Sequence, residues 1–157
     1  MKFPRNNVVI HSGGQTGVDR AALDFALCND INCTGWCPQN RGAEDGPINF
    51  RYPLRQVYSS NPILRTELNV IDCDGTFIII FDEMDQGTLM TQDFARLYEK
   101  PLFVWMIGNK NNDPGKFKRW LVQHNIKHLN IAGPRESFAP GIYQNTLELL
   151  ERLLMDD

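Results

Sequence analysis

Apolar and polar positions follow two rhythms in turn along this chain. Short runs of β-branched and aromatic residues are each followed by a stretch with apolar residues at helical spacing. Residues 7–12 form the first run and read as a strand. Val18, Ala21, Ala22, Phe25 and Ala26 then recur on one helix face, the face expected against a sheet. Asn29-Asp30 ends that helix, and 31–36 reads as a short second strand. Residues 61–73 read as a helix with Ile63, Leu64, Leu68 and Ile71 turned inward. The run 75–81, GTFIIIF, is nearly all apolar, as in a central parallel strand covered on both faces. A helix over 88–99, a strand over 102–107 behind Pro101, and a turn at 109–114 follow. A helix over 115–125, a strand over 127–132 and a final helix over 140–155 complete the series.

One segment breaks the rhythm. Residues 37–58 carry Pro38, Gly42, Gly46, Pro47 and Pro53 and keep no steady period. A loop this long inside a domain is uncommon and is usually disordered or functional. Phe50, Tyr52 and Leu54 suggest that it packs down.

Strands alternating with helices predict an α/β fold, an open doubly wound parallel sheet of about five strands with helices on both faces. Ligands of such sheets sit at the carboxyl ends of the strands, where the strand order reverses. The loops that follow strands are 12–17, 37–58, 82–88 and 132–140.

The chain has 157 residues, which predicts one domain over 1–157 with a core of its own. Its net charge is −3 with no basic block, which disfavours general nucleic-acid binding. No stretch approaches the ~20 apolar residues of a membrane span, and MKFPRNN lacks an apolar signal-peptide core. The expectation is a cytoplasmic protein. In a reducing compartment Cys28, Cys33, Cys37 and Cys73 are free thiols by default. Cys33 and Cys37 lie four apart, but no second pair or His cluster completes a zinc pattern. Cys28 and Cys73 read as small packing residues, and Cys37 as structural.

The first turn carries the chemistry. Ser12-Gly13-Gly14-Gln15-Thr16-Gly17 joins the first strand to a helix start, with Thr16 as the expected N-cap and Asp19 completing a capping box. Helix-start amides have no internal partner and the helix dipole adds positive charge, so an anion is the expected guest. The alternative is a plain tight turn with a capped helix. The Walker pattern fails, because Val18 follows Gly17. The dinucleotide pattern fails too, because Gly35-Trp36-Cys37 stands where the acid belongs. Arg20 is within reach of a phosphate or of solvent. Gly87-Thr88 opens another helix after a strand, and Arg135-Glu136-Ser137 follows the last strand, where Arg135 offers a fork for phosphate. In the long loop, Arg41, Glu44 and Asp45 are candidates, a carboxylate there suiting the edge of a base or pterin. Asp45-Gly46 reads equally as a turn. Arg65, Asn69 and Asp72 share one helix face, which an ordinary solvated surface also explains. No nucleophile–base pair is evident, since His11 and Ser12 alternate across a strand.

SGGQTGVDRAALD (12–24), GWCPQNRGAEDGPI (35–48), RTELNVIDCDGT (65–76), GTLMT (87–91) and AGPRES with PGIY (132–143) resemble the putative molybdenum carrier family. That family lies within the Rossmann-like superfamily of lysine-decarboxylase-like and cytokinin-activating proteins. The resemblance runs from residue 8 to about residue 150. It implies a Rossmann-like fold, a cytosolic carrier for the molybdenum cofactor, and a homo-oligomer, dimer or tetramer. The binding set so implied is Ser12, Gly13, Gly14, Gln15, Thr16, Gly17, Arg20, Arg41, Glu44, Asp45, Gly87, Thr88, Arg135, Glu136 and Ser137. A nucleotide suits these residues as well. The alternative is a nucleotide-processing hydrolase with Glu44 or Asp45 as general base. The cytokinin-activating relatives carry P-G-G-x-G-T-x-x-E. Here Thr91 stands at the Glu position and Gln86 at the first Gly of the Gly-Gly-Thr usual in the carrier family. The first departure argues against that hydrolytic chemistry.

Overall fold

In the computed structural model, which describes residues 7–156, β1 (Val9–His11) leads into α1 (Val18–Cys28). The first six residues of MKFPRNN lie outside the described residues. The chain then forms β2 (Cys33–Thr34), β3 (Trp36–Cys37), a 3-10 turn (Gln39–Arg41), and the hairpin β4 (Gly42–Ala43) with β5 (Gly46–Pro47). β6 (Arg55–Gln56), α2 (Leu64–Ile71), β7 (Gly75–Ile80) and α3 (Gln86–Leu97) follow. β8 (Leu102–Met106), α4 (Pro114–Gln123), β9 (His128–Ala132) and α5 (Ile142–Leu154) complete it.

The sheet has five strands in the order β2-β1-β9-β7-β8, all parallel, as the alternation predicted. The last strand enters the middle, pairing β1 through Val9↔His128 to His11↔Asn130 and β7 through Gly75↔Leu129 to Ile78↔Ala132. Helices α1, α4 and α5 share one apolar core with the sheet, built on Ile10, Phe25, Phe77, Phe117, Leu129, Ile131 and Leu150. Side chains alternate across a strand, so the intervening His11, Thr76 and Asn130 belong to the opposite face, and all three are buried. The rings of His11 and His128 share a hydrogen bond of 2.9 Å there. Burial, with His128 alongside, lowers the His11 pKa to about 4, so its ring is neutral at pH 7.

That polar face overturns the expectation for α2. Ile63 is exposed and Leu64, Leu68 and Ile71 are only half-buried, whereas Thr66, Asn69 and Val70 are buried. The helix buries Thr66 and Asn69 beside Val70, and its apolar stripe stays only half-covered. Asn69 acts like a strand, accepting from the Trp36 amide and donating to the Trp36 carbonyl, both at 2.9 Å. Asp72 accepts from Trp36 Nε1 at 2.8 Å. The α2 polar face is therefore engaged rather than simply solvated.

The strand expected over 31–36 splits at Gly35. Its φ of 145° lies outside the range L side chains favour, and a Cβ there would overlap the Ser12 carbonyl oxygen. β2 stays on the main sheet while β3 pairs β6 in a separate small sheet. The long loop is ordered by one cation. Arg41, buried, donates to the carbonyls of Ile48, Asn49, Tyr52 and Leu54 at 2.8 to 3.0 Å. Ile48 and Tyr52 pack with Leu23 and Cys37 in a second small core, and Leu54 lies against it. Phe50, expected to pack, is 89% exposed. Cys28 is exposed, not a packing residue, because it falls on the outer side of α1, while Cys73 is buried as expected.

Gly35→Ala should lower unfolding stability by more than about 2 kcal/mol, combining backbone strain with the clash at Ser12. Gly42, with φ −71° and open space around its Cβ position, is the control. Gly42→Ala should stay within roughly 0.5 kcal/mol of wild type. Urea unfolding checks both, and equal effects would remove the role given to Gly35.

Candidate functional site

Strands β1, β9 and β7 end side by side, so the segments 12–17, 82–88 and 132–137 meet at one edge of the sheet. A cleft of about 80 Å³ opens among them, closed on its other side by α2. Of the residues picked from the sequence, Gly13, Gln15, Gly87, Thr88 and Arg135 line it. Arg65, Asp19, Asp85 and Asn130 line it as well, and sequence reasoning missed them as site residues.

The first turn differs from the expected capping box. Gly17, not Thr16, is the N-cap of α1, with φ 80° and no side-chain cap. A Cβ on Gly17 would overlap the Pro134 carbonyl oxygen, so the turn sits hard against the segment after β9. Thr16 is instead drawn away from the helix, where its hydroxyl donates to Glu44 and accepts from the Glu136 amide at 3.1 Å. Asp19 accepts from the Gln15 amide at 3.4 Å and lies 3.4 Å from Arg65 Nη1. Ser12 ties the turn from within, donating to the Asp19 carbonyl at 2.8 Å and accepting from the Gly14 amide at 3.3 Å.

The expected row of open amides is mostly taken. Gln15 Oε1 accepts from the amides of Thr16 and Glu44, at 3.0 and 2.9 Å. The Val18 amide donates to Pro134, and the Ser137 amide to Glu44. The N-cap of α3 is Asp85, whose carboxylate accepts from the Thr88 amide and hydroxyl and from the Arg135 amide. Among the described residues, the Gly13 and Gly87 amides at the cleft have no hydrogen-bond partner.

The remaining candidates fall elsewhere. Thr16, Gly17, Arg20, Asp45 and Glu136 line a shallow groove on the other side of the turn, with Asp24, Tyr52 and Tyr143. Arg20 is bidentate to Asp45, at 2.9 and 3.1 Å, and also donates to the Gly14 carbonyl. Glu136 caps α5 through the amides of Gly141 and Tyr143. Ser137 donates to Glu44 at 2.6 Å. Arg41 does not line the cleft, and its guanidinium donates to four loop carbonyls. Glu44 and Asp45 are poorly suited as general bases. Hydroxyls of Ser137 and Thr16 hold Glu44 below the usual carboxylate range, and Arg20 does the same to Asp45.

Asp19 behaves oppositely. Burial pushes its pKa up to about 6, against the pull of Arg65 and the Gln15 amide, with Asp85 adding to the rise. Arg65, 19% exposed at its side chain, has an Nε without a partner among the described residues. A Cβ on Gly13 would strike the end of Arg65, so this glycine is needed for room rather than for φ. The signal for Arg65 was present in the sequence. Polar Arg65, Thr66 and Asn69 share a helix side opposite Ile63, Leu64, Leu68 and Ile71, and His128 and Asn130 alternate with apolar residues in β9. A metal has no evident seat: among the described residues no three His, Cys, Asp or Glu side chains converge. No helix of the described residues is long and apolar enough to cross a membrane.

An all-parallel sheet with its polar cleft where β1, β9 and β7 end is the arrangement of a Rossmann-like small-ligand fold. The chain belongs to the circularly permutated YpsA SLOG family, whose profile matches residues 10–154. The entry of β9 between β1 and β7 is in keeping with a permuted strand order. A solved structure named as a putative molybdenum carrier protein from Syntrophus aciditrophicus SB is 42% identical, covers 94% of this chain and 96% of its own, and superposes with a TM-score of 0.90. No curated protein matches the chain.

Asp19 gives a signed pH test. Its pKa is near 3.8 when unfolded and about 6 when folded, so between those values the folded chain holds the extra proton. Its contribution to stability therefore falls as pH rises from about 4 to about 6. Asp19→Asn removes that slope. The stability of the variant relative to wild type should rise by up to about 3 kcal/mol between pH 4 and pH 7. Urea unfolding across that range measures it, and a constant difference would refute the perturbed carboxyl.

Proposed function

We propose that this chain binds and carries the molybdenum cofactor, or a similar phosphorylated heterocycle, without a covalent step. Its relationship to a protein named as a putative molybdenum carrier protein supports this. The observation that carries it is Arg65, a cation set in a polar cleft at the strand ends with an unpartnered Nε and only a long contact to Asp19. The Gly13 and Gly87 amides and the Arg135 side chain add donors around it. Ligand pockets for whole drug-sized molecules run to roughly 300–1,000 Å³. At about 80 Å³ the cleft takes the anionic end of such a ligand, with the heterocycle at its mouth.

A hydrolytic reading has one observation in its favour, the buried Asp19 in the cleft, since a carboxyl raised toward neutrality suits proton transfer. It predicts nucleotide turnover that Asp19→Asn abolishes, and a nucleotide screen without turnover removes it.

Calorimetric titration with molybdenum cofactor, molybdate and common nucleotides should give saturable heat with at least one of them. Silence from all sinks the carrier reading. Gly13→Ala tests the site. The atom it strikes ends a flexible side chain and no positive φ is involved, so folding should be little changed while the Arg65 head is displaced. Loss of one charge-assisted contact, about 1.5–3 kcal/mol, should weaken binding roughly 10- to 100-fold. Unchanged affinity would take Arg65 out of the site.

We also propose self-association through α2 and α3, where Ile63, Leu89, Leu97 and Tyr98 stay exposed. Sedimentation velocity at micromolar concentration should find a dimer or larger species, and a lone monomer refutes this.

A further inference from the structure

Asp19 and Arg65 form a stretched ion pair. Their nearest approach is 3.4 Å, and the same Asp19 oxygen meets the Gln15 amide at 3.4 Å. Neither contact is short enough to be strong. Yet both groups line the cleft, with side chains only 8% and 19% exposed. Asp85 from the start of α3 and Arg135 from the segment after β9 complete the charged lining. Asp85 is occupied by Thr88 and the Arg135 amide, and Arg135 lies 3.7 Å from Glu44 at the rim. Two cations thus stand against two carboxylates, leaving no net charge for an anion unless a carboxylate is neutralised.

The space, about 80 Å³, admits a compact tetrahedral group beside Arg65. An oxyanion on Arg65 would lie beside Asp19, and two anions in one small cleft repel strongly. A protonated Asp19 instead offers an O–H donor to the guest.

We propose that the cleft binds a tetrahedral oxyanion on Arg65 together with one proton, which Asp19 takes up. The oxyanion is either free or the terminal group of a phosphate ester. This deepens the carrier reading and rests on its premise that an anion enters the cleft. Burial already brings Asp19 to a pKa of about 6, so little is needed to protonate it at neutral pH. Affinity is then nearly level below pH 6 and falls toward tenfold per pH unit above it.

The test is calorimetry of wild type and Asp19→Asn at pH 6 and pH 8 with three probes: sulfate, which does not titrate in this range, molybdate, and a nucleoside monophosphate. Wild type should bind sulfate about 50-fold more weakly at pH 8 than at pH 6. At pH 8 it should take up nearly one proton per anion, read from heats in two buffers of different ionisation enthalpy. Asp19→Asn should bind with about equal affinity at both pH values. Should that variant fold poorly, the wild-type buffer comparison decides alone. Level wild-type affinity without proton uptake overturns the proposal, as does failure of sulfate and molybdate to bind at pH 6. A monophosphate that binds more tightly than both inorganic ions, with the same proton uptake, supports the ester form. The reverse order supports the free ion. The carrier reading fails separately, when cofactor, molybdate and nucleotides give no heat while sulfate keeps its pH slope.

Discussion

Everything at the candidate site hangs from the seating of β9 between β1 and β7. Its pairing with β1 joins residues more than a hundred positions apart, and chain entropy opposes it. What holds it is concentrated on one face of the sheet, where Leu129 and Ile131 enter the same core as Ile10, Phe77, Phe117 and Leu150. The other face is mixed, with Ile78 and Ile80 buried on it and polar positions toward β1 and β9. His11, Thr76 and Asn130 occupy it, and α2 meets it with polar groups. Packing on one side is thus the physical condition for chemistry on the other.

The second condition is a rigid rim. Thr16, Glu44, Glu136 and Ser137 link three separate segments through side chain to side chain and side chain to backbone contacts. Arg41 fastens the long loop by satisfying four carbonyls that would otherwise be costly to bury. Most of the charged residues in the long loop and the last turn therefore position backbone rather than wait for a guest. Among the described residues, Arg65 Nε and the amides of Gly13 and Gly87 remain uncommitted in the cleft. A site whose supports are satisfied before its contact groups are is one that is preorganised.

The fold was legible because period is a local property. The runs at 7–12, 75–81, 102–107 and 127–132 declared parallel strands, and Val18 to Ala26 declared the buried face of α1. Strand order was not legible, since nothing local says that β9 enters the middle of the sheet. The α2 error came from assuming that every sheet face is apolar. Ile63, Leu64, Leu68 and Ile71 do form a stripe, but the polar positions of β9 and β7 decide which side packs. The site was half legible. Glycine turns pointed to the right edge, and Gly13, Gln15, Gly87, Thr88 and Arg135 do meet in the cleft. Arg41, Glu44 and Arg20 were plausible by type, but a charged side chain does not announce in sequence whether its partner is protein. The shared face of Arg65, Asn69 and Asp72 reads equally as solvated surface in sequence, because the turn that Arg65 meets lies far along the chain.

Asp19 joins the two conditions. It sits on α1 one residue past the start of the helix, where a carboxylate normally stabilises the dipole from a solvated position. Here the neighbouring segments bury it, and its charged form is disfavoured despite Arg65 alongside. A purely structural ion pair would gain from closing to a short, bidentate contact, because a desolvated pair recovers its cost only through good geometry. This pair stays open at 3.4 Å, although Arg65 ends on a flexible side chain and Gly13 leaves it room. Loose pairing of two buried charges costs stability that the apolar face of the sheet must offset. Such a cost is what proteins carry where a group is held ready to bind or to exchange a proton rather than to hold the fold together.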